Sequence, residues 1–270
     1  MSVLSGSMTR DKGRELSRAA ATGVLIQRNI LVHRRGWIVF LTGFLEPVLY
    51  LVSIGIGVGT LVRSFEVAGQ TTPYAEFVAP GMLAASAMNG AVFDTTFNVF
   101  FRMKYEKLYD QILATPPTPG DVARGEISWA LLRGGIYSAA FLVVMSALGL
   151  VHSWWAVLAL PATLLIGFGF GGICMALTTW MRSWQDFEFI TLGTLPLFLF
   201  SGTFFPLSAL PDWLRWVIEC TPLYRGVVLC RELVTGHLTF ASLVSVIYLV
   251  VLGLIGASIV GRRLSTLLLK

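Results

Sequence analysis

Apolar residues in this chain come in long, nearly unbroken runs. They follow neither the strict alternation of a strand nor the narrow stripe of a water-facing helix. Six runs approach the ~20 residues that a helix needs to cross a ~30 Å hydrocarbon layer. They lie at 37–61, 77–101, 127–151, 155–181, 187–205 and 240–260. Between the last two, 206–238 is interrupted by Pro206, Pro211 and Pro222 but keeps apolar stretches at 213–218 and 223–229. This predicts short re-entrant half-helices, which a membrane tolerates when they pack on protein. Ahead of the first run, Leu16, Leu25, Ile26, Ile30 and Leu31 are mixed with Arg14, Arg18, Arg28, Arg34 and Arg35. Such a segment is either an amphipathic helix lying on the membrane surface or a basic solvated arm.

The expected fold is an all-α integral membrane protein. It has six transmembrane helices, an N-terminal amphipathic interface helix within 1–36, and short re-entrant helices before the last span. Residues 37–270 form one membrane domain, because no polar linker divides them. Capping signals place several helix starts. Ser183 and Asp186 have N-cap and N3 spacing, as do Thr118 and Asp121 around Pro119, and Thr221 precedes Pro222. The glycines Gly55, Gly57 and Gly59 in the first run, and Gly167, Gly169, Gly171 and Gly172 in the fourth, are read as points of close helix packing.

Composition agrees with the pattern. Hydrophobic residues make up 55% of the chain and charged ones 13%, against about 25% charged in a soluble domain. The mean hydropathy is +0.74. A net charge of +5 could signal nucleic acid or anionic lipid, and its placement favours lipid. With the amino terminus inside, fifteen of the twenty Lys and Arg residues fall on the cytoplasmic side. Four fall outside (Arg63, Arg215, Arg225 and Arg231), and Arg133 lies within a span. This bias puts both termini in the cytoplasm. Trp37, Trp180 and Trp184 at one level, and Trp154, Trp155, Trp213 and Trp216 at the other, suit the two interfaces. The first 35 residues lack the short apolar core of a cleavable signal peptide.

The sequence holds no phosphate-cradling Gly-Lys-Ser/Thr loop. His33, His152 and His237 are scattered, and Cys174, Cys220 and Cys230 have no metal-ligand spacing. Spacing alone leaves a Cys220–Cys230 disulfide open. Neither a catalytic, a cofactor-binding nor a metal residue is expected. The candidate chemistry is ionisable groups inside spans, where an unpaired charge is costly. Glu46 precedes Pro47, and Asp94 shares a four-residue stripe with Ser86, Gly90 and Asn98. Glu126 and Arg133 lie two turns apart on the third span. These groups either line a substrate path or hydrogen-bond between helices. Glu46, Tyr50 and the rings Phe198, Phe200, Phe204 and Phe205 are the candidate path, since aromatic faces suit an amphiphilic cargo.

The longest connection on the cytoplasmic side, 102–124, predicts a helix over 104–115 that Pro116 and Pro117 stop. Tyr105, Leu108, Tyr109 and Ile112 form its apolar face; Glu106, Lys107 and Asp110 form its polar rim. It either docks on a partner or rests on lipid.

Several stretches carry a family likeness. Glu46, Pro47, Tyr50 and Leu51 lead into the spaced glycines; Tyr74, Phe77, Ala79, Pro80 and Gly81 follow, then Phe101, Arg102 and Met103. Leu113, Ala114, Thr115 and Pro116 precede the run from Asp121 to Glu126. Ser201, Gly202, Phe205 and Pro206, then Pro222 and Leu223, complete the set. In this order the chain resembles ABC-2-type transport permeases, and most of all the nodulation-protein-J branch, linked to export of lipo-oligosaccharides. Pro117 departs from the apolar residue common there. The resemblance implies a dimer around a central path, formed with an identical or homologous permease chain. It implies an ABC ATPase partner in two copies that holds ATP and Mg. The coupling residues would be Tyr105, Glu106, Leu108, Tyr109, Asp110 and Ile112. A secondary transporter or channel not driven by an ATPase is the alternative; it would carry internal repeats, which the sequence lacks. A membrane enzyme would need convergent reactive groups.

The charge asymmetry makes a direct prediction. A cysteine at Thr71 reacts with an impermeant maleimide from outside, and one at Ser265 only after the membrane is opened. Reversed labelling would invert the topology.

Overall fold

The computed structural model describes residues 18–33, 37–61, 64–67, 70–115 and 117–268. Helix α1 (Arg18–His33) precedes α2 (Trp37–Leu61), which covers the first apolar run from end to end with Pro47 inside it. A short antiparallel hairpin follows, β1 (Ser64–Val67) against β2 (Gln70–Pro73), with Ser64 opposite Pro73 and Val67 opposite Gln70. The fold is therefore nearly all-α. The second run is one continuous rod: α3 (Tyr74–Phe93) widens into a single π turn at Asp94–Asn98 and continues as α4 (Val99–Lys104).

The expected 104–115 helix is broken. Lys107 takes a left-handed conformation with φ 47°, which separates α4 from α5 (Leu108–Leu113). Both capping boxes form as expected. Thr118 accepts from the Asp121 N–H, while Asp121 accepts from the Thr118 N–H at 2.9 Å, starting α6 (Pro119–Ala147). Asp186 accepts from the N–H groups of Arg182 (2.6 Å) and Ser183 (3.1 Å), which hold its carboxyl below the ordinary carboxylate range. That second box leads into α8 (Phe187–Leu199), after α7 (Ala159–Thr178). The chain ends with α9 (Asp212–Glu219), α10 (Pro222–Thr235) and α11 (Phe240–Leu268).

Among the described residues, three helices are long and apolar enough to cross a membrane: Pro119–Ala147, Trp154–Thr178 and Phe240–Leu267. The fifth expected run, 187–205, is helical only in its first part. Helix α8 has 13 residues, about 20 Å at 1.5 Å per residue. The chain then turns at Gly202, whose φ of +70° suits glycine. Thr203 drops into a notch over Gly81, where a Cβ would sit 2.8 Å from the Thr203 side chain. Two short helices, α9 and α10, occupy the stretch 206–238.

Helix α7 is central, packing on α3, α6, α10 and α11. Its contact with α11 is backbone on backbone. A Cβ on Gly256 would meet the Gly172 carbonyl carbon at 2.3 Å, and one on Gly172 would meet the Gly253 oxygen at 2.8 Å. In lipid, where apolar burial gives helices little reason to associate, such close van der Waals contact is the main attraction. The fourth-run glycines thus pack closely as expected, Gly172 against Gly253 and Gly256, which the sequence pattern did not single out, Gly169 against Leu249, and Gly167 and Gly171 against Ala91 of α3. Those of the first run pack loosely within the chain: a Cβ on Gly57 meets nothing within 4 Å.

Arg231 also departs from expectation. It is not a water-facing charge but donates to the Phe77 carbonyl (3.2 Å) and the Gly202 carbonyl (2.9 Å), with its guanidinium 4.0 Å from the Phe77 ring centre. It thereby ties α10 to the start of α3 and to the turn after α8. Cys220 and Cys230 are both free, Cys220 exposed and Cys230 buried, so they form no disulfide.

The glycine contact predicts a position-specific effect. Gly256→Ala forces α7 and α11 apart and costs about 1–3 kcal/mol as overpacking. Gly261→Ala, with nothing within 4 Å of its Cβ, is neutral. Thermal unfolding of the two variants in one detergent checks this.

Candidate functional site

The rod formed by α3, the π turn and α4 brings the polar stripe to one wall of a cavity of ≈ 760 Å³. Pro47 and Tyr50 of α2 form a second wall, Arg133 and Tyr137 of α6 a third, and the α8 side from Phe187 to Phe198 a fourth. The sequence favours this meeting locally. Asp94, Thr95 and Thr96 open the π turn, and the two threonine hydroxyls bond back to the carbonyls of Ala91 (2.7 Å) and Val92 (2.6 Å). Thr178 of α7 donates to the Thr95 carbonyl at 3.1 Å. Carbonyls of the widened turn are thus supplied with donors, and such turns recur at functional sites.

Within the wall, Arg133 Nη1 donates to Asp94 Oδ1 at 2.8 Å and Arg133 Nε to the Tyr137 hydroxyl at 2.8 Å. Asn98 Nδ2 donates to the same Asp94 oxygen at 2.7 Å. Both charged residues are buried, at 6% exposure each. The pair leaves the cavity wall without net charge. The remaining lining is apolar and aromatic, with Ser86, Asn89, Thr191 and Thr194 interspersed. A lining of rings and neutral hydrogen-bonding groups fits a molecule with both apolar and polar parts. Among the described residues, no group of three or more His, Cys, Asp or Glu could hold a metal ion.

The candidate path residues separate. Tyr50 and Phe198 line the cavity with Asp94 and Arg133. Phe204 lies outside the lining but packs edge-on to Phe198 at 5.1 Å. Phe200 and Phe205 belong to the turn after α8 and do not line the cavity. Glu46 lies in α2, and its side chain falls outside the described residues. Asn98 acts through Asp94. The sequence reading missed Tyr137, although its spacing of four from Arg133 was a signal, and Asn89.

Glu126 lies apart from Arg133, in a second cluster. Its carboxylate, 5% exposed, accepts from Arg102 of α4 and, at 3.5 Å, from Arg28 of α1. Helix α1 packs closely there, since a Cβ on Gly125 would lie 2.7 Å from Leu25. The coupling residues divide around this cluster. Tyr109 is wholly buried, in a core with Val99, Val122, Ile127 and Met175. Leu108 and Ile112 are half-buried, while Tyr105, Glu106, Lys107 and Asp110 are exposed. The break at Lys107 accounts for the division, because it turns α5 away from the face that α4 presents. Tyr109 therefore serves this chain's own core rather than a docking face.

Seven rings join the cavity to this connection. Phe93, Phe97, Phe101 and Tyr105 stack in four-residue steps, with successive centroids about 5 Å apart. Trp184 and Phe187 pack against Phe97 at 5.1 and 5.5 Å, and Phe100 packs on Phe187 at 5.2 Å. These contacts hold the start of α8.

A family model described as ABC-2 type transporter matches residues 20–235. Nodulation protein J of Rhizobium leguminosarum bv. viciae is 32% identical over 246 residues, covering 88% of this chain and 93% of that protein. Nodulation protein J of Sinorhizobium fredii is 34% identical over 208 residues, covering 76% and 78%. That of Azorhizobium caulinodans is 27% identical over 253 residues, covering 92% and 98%.

The buried pair predicts non-additive energetics. Arg133→Gln alone leaves the Asp94 carboxylate uncompensated and costs about 3–5 kcal/mol. Adding Asp94→Asn restores much of the loss. Thermal unfolding of the two single variants and the double variant in lipid nanodiscs measures the coupling; strictly additive losses would contradict the pairing.

Proposed function

Because the chain belongs to the ABC-2 type transporter family, we propose that it is the membrane-embedded permease subunit of an ATP-driven exporter. It performs no hydrolysis itself. ATP and Mg are held by a separate ABC ATPase subunit, present in two copies. A second permease chain, identical or homologous, faces this one. The protein sits in the inner membrane of a bacterium with both termini cytoplasmic. It crosses six times, and 206–238 re-enters from the outer side. The cargo is an amphiphile: a glycolipid, a lipid-linked saccharide or a hydrophobic drug.

The cavity between α2, α3, α6 and α8 carries this reading. A neutralised polar wall inside an apolar bundle has a use when a partly polar molecule passes it. Helix α8 buries none of its residues in the chain, though it lines this cavity; a second permease chain would cover it. The exposed tip of the 102–124 connection suits the ATPase. Tyr105 is 63% exposed, with Glu106 and Lys107 beside it. An exposed ring inside a charged rim is the usual composition of a binding hot spot, worth roughly 2 kcal/mol or more on truncation.

Tyr105→Ala is the test. The variant inserts and folds normally, while recovery of the ATPase subunit with it falls about tenfold or more. The chain purified without its partner shows no ATP turnover. Undiminished ATPase recovery would overturn the docking assignment, and ATP hydrolysis by the partner-free chain would overturn the subunit reading.

A further inference from the structure

The chain turns tightly after α7. The N–H groups of Thr179, Trp180 and Met181 bond to the carbonyls of Ala176 (3.0 Å), Leu177 (2.9 Å) and Thr178 (3.2 Å). This turn holds the Trp180 ring against α11, where the guanidinium carbon of Arg263 lies 4.5 Å from the ring centre. A ring face attracts a cation but does not neutralise it. Arg102 and Arg133 have carboxylates, and Arg231 has two carbonyls. Among the described residues, no carboxylate pairs with Arg263, and its Nε is buried without a hydrogen-bond partner. A guanidinium has five N–H donors and no acceptor. With Nε enclosed by protein, the two Nη groups are the ones open to an anion, and their planar fork matches two oxygens of a phosphate.

The location selects the anion. Helices Trp154–Thr178 and Phe240–Leu267 are both long and apolar enough to cross a membrane. Trp180 stands just past the end of the first, and Arg263 stands near the end of the second. Trp180 is 49% exposed, and Leu177, Ile255 and Leu267 add exposed apolar surface on the same two segments. A tryptophan in this position belongs at headgroup depth, and an arginine near a helix end extends its charge to that level. Arg182 and Arg262 are exposed close by in sequence and add positive charge. We propose that Arg263 and Trp180 form a seat for the phosphate of an anionic glycerophospholipid, whose acyl chains lie on the exposed apolar surface of α7 and α11. Val260 and Leu264, on either side of Arg263, share a core with Met175 and Ala176 of α7 and Tyr109 of α5. A bound headgroup therefore clamps the ends of α7 and α11 around the core that buries α5. The seat needs only the membrane setting of these helices and not the exporter reading.

The full chain, purified in a neutral detergent, is titrated with phosphatidylglycerol or phosphatidylcholine, and bound lipid is counted by native mass spectrometry. Phosphatidylglycerol binds about tenfold more tightly than phosphatidylcholine, as a charge-assisted contact implies. Arg263→Gln abolishes that preference. Trp180→Leu weakens it while keeping every charge. Arg262→Gln removes a neighbouring exposed charge and changes binding by less than about twofold. Thermal unfolding gives an independent readout: adding phosphatidylglycerol to phosphatidylcholine nanodiscs raises the melting temperature of the unsubstituted chain and not that of Arg263→Gln. Equal binding of the two lipids, or an undiminished preference in Arg263→Gln, would overturn the proposal. Equal losses in Arg262→Gln and Arg263→Gln would also overturn it, by showing general charge attraction in place of a seat. If inorganic phosphate alone gave the same Arg263-dependent rise in melting temperature, the ligand would be the free anion and the lipid assignment would fall.

Discussion

A charged side chain inside an apolar bundle must find its partner on another helix, and this requirement organises the molecule. An unpaired charge costs about 2.5–3.5 kcal/mol at the centre of an inserted helix. Asp94 and Arg133 meet that requirement together and thereby register the α3 rod against α6. Glu126 does the same for α1, α4 and α6 through two arginines. Arg231 uses carbonyls and a ring face in place of a carboxylate. These polar ties specify which faces meet. The glycine contact between α7 and α11 supplies the close approach that apolar surfaces alone would not fix in lipid.

The same constraint shapes the cavity. Its charged residues are spent on each other, so what faces the open space is neutral. Rings, hydroxyls and an amide remain available to an occupant. The ring ladder from Phe93 to Tyr105 gives the cavity a packed connection to the exposed tip of the 102–124 segment. Packing runs from that tip along the rings to the start of α8, and the buried Tyr109 ties α5 to the core around Val122 and Met175.

Much of this was legible in the sequence because its causes are local. The first apolar run became α2 without a shift at either end. The Thr118–Asp121 and Ser183–Asp186 boxes formed because one side chain and one backbone N–H, three residues apart, suffice to define them. The Asp94 stripe reached a cavity wall because its four-residue spacing survives the π turn. What the sequence hid depends on what lies opposite. Periodicity showed that Tyr109 has an apolar face to bury but not that its own chain would bury it. The left-handed Lys107 that turned α5 inward has no side-chain signature, as lysine rarely takes that conformation. Arg231 counted as a loop charge because nothing in its neighbours announces the Phe77 ring and the Gly202 carbonyl. The fifth run looked helical as far as Phe205, yet its helix ends at Leu199, ahead of the turn at Gly202 and the Thr203 notch.

The central claim is that a second permease chain covers α8 and, beside it along the cavity, the exposed face of α2 that carries Leu49, Tyr50 and Val52. Disulfide cross-linking tests it most directly. Leu49 of α2 and Leu192 of α8 are 58% and 69% exposed. One copy carries Leu49→Cys and the other Leu192→Cys, both with Cys220 replaced by serine. The account predicts that mild oxidation in native membranes gives a covalent dimer of the two chains. If the chains associate but these positions never cross-link, while lipid-facing positions on α11 such as Ile247 do, the second chain does not cover α8 and α2 and the account is wrong.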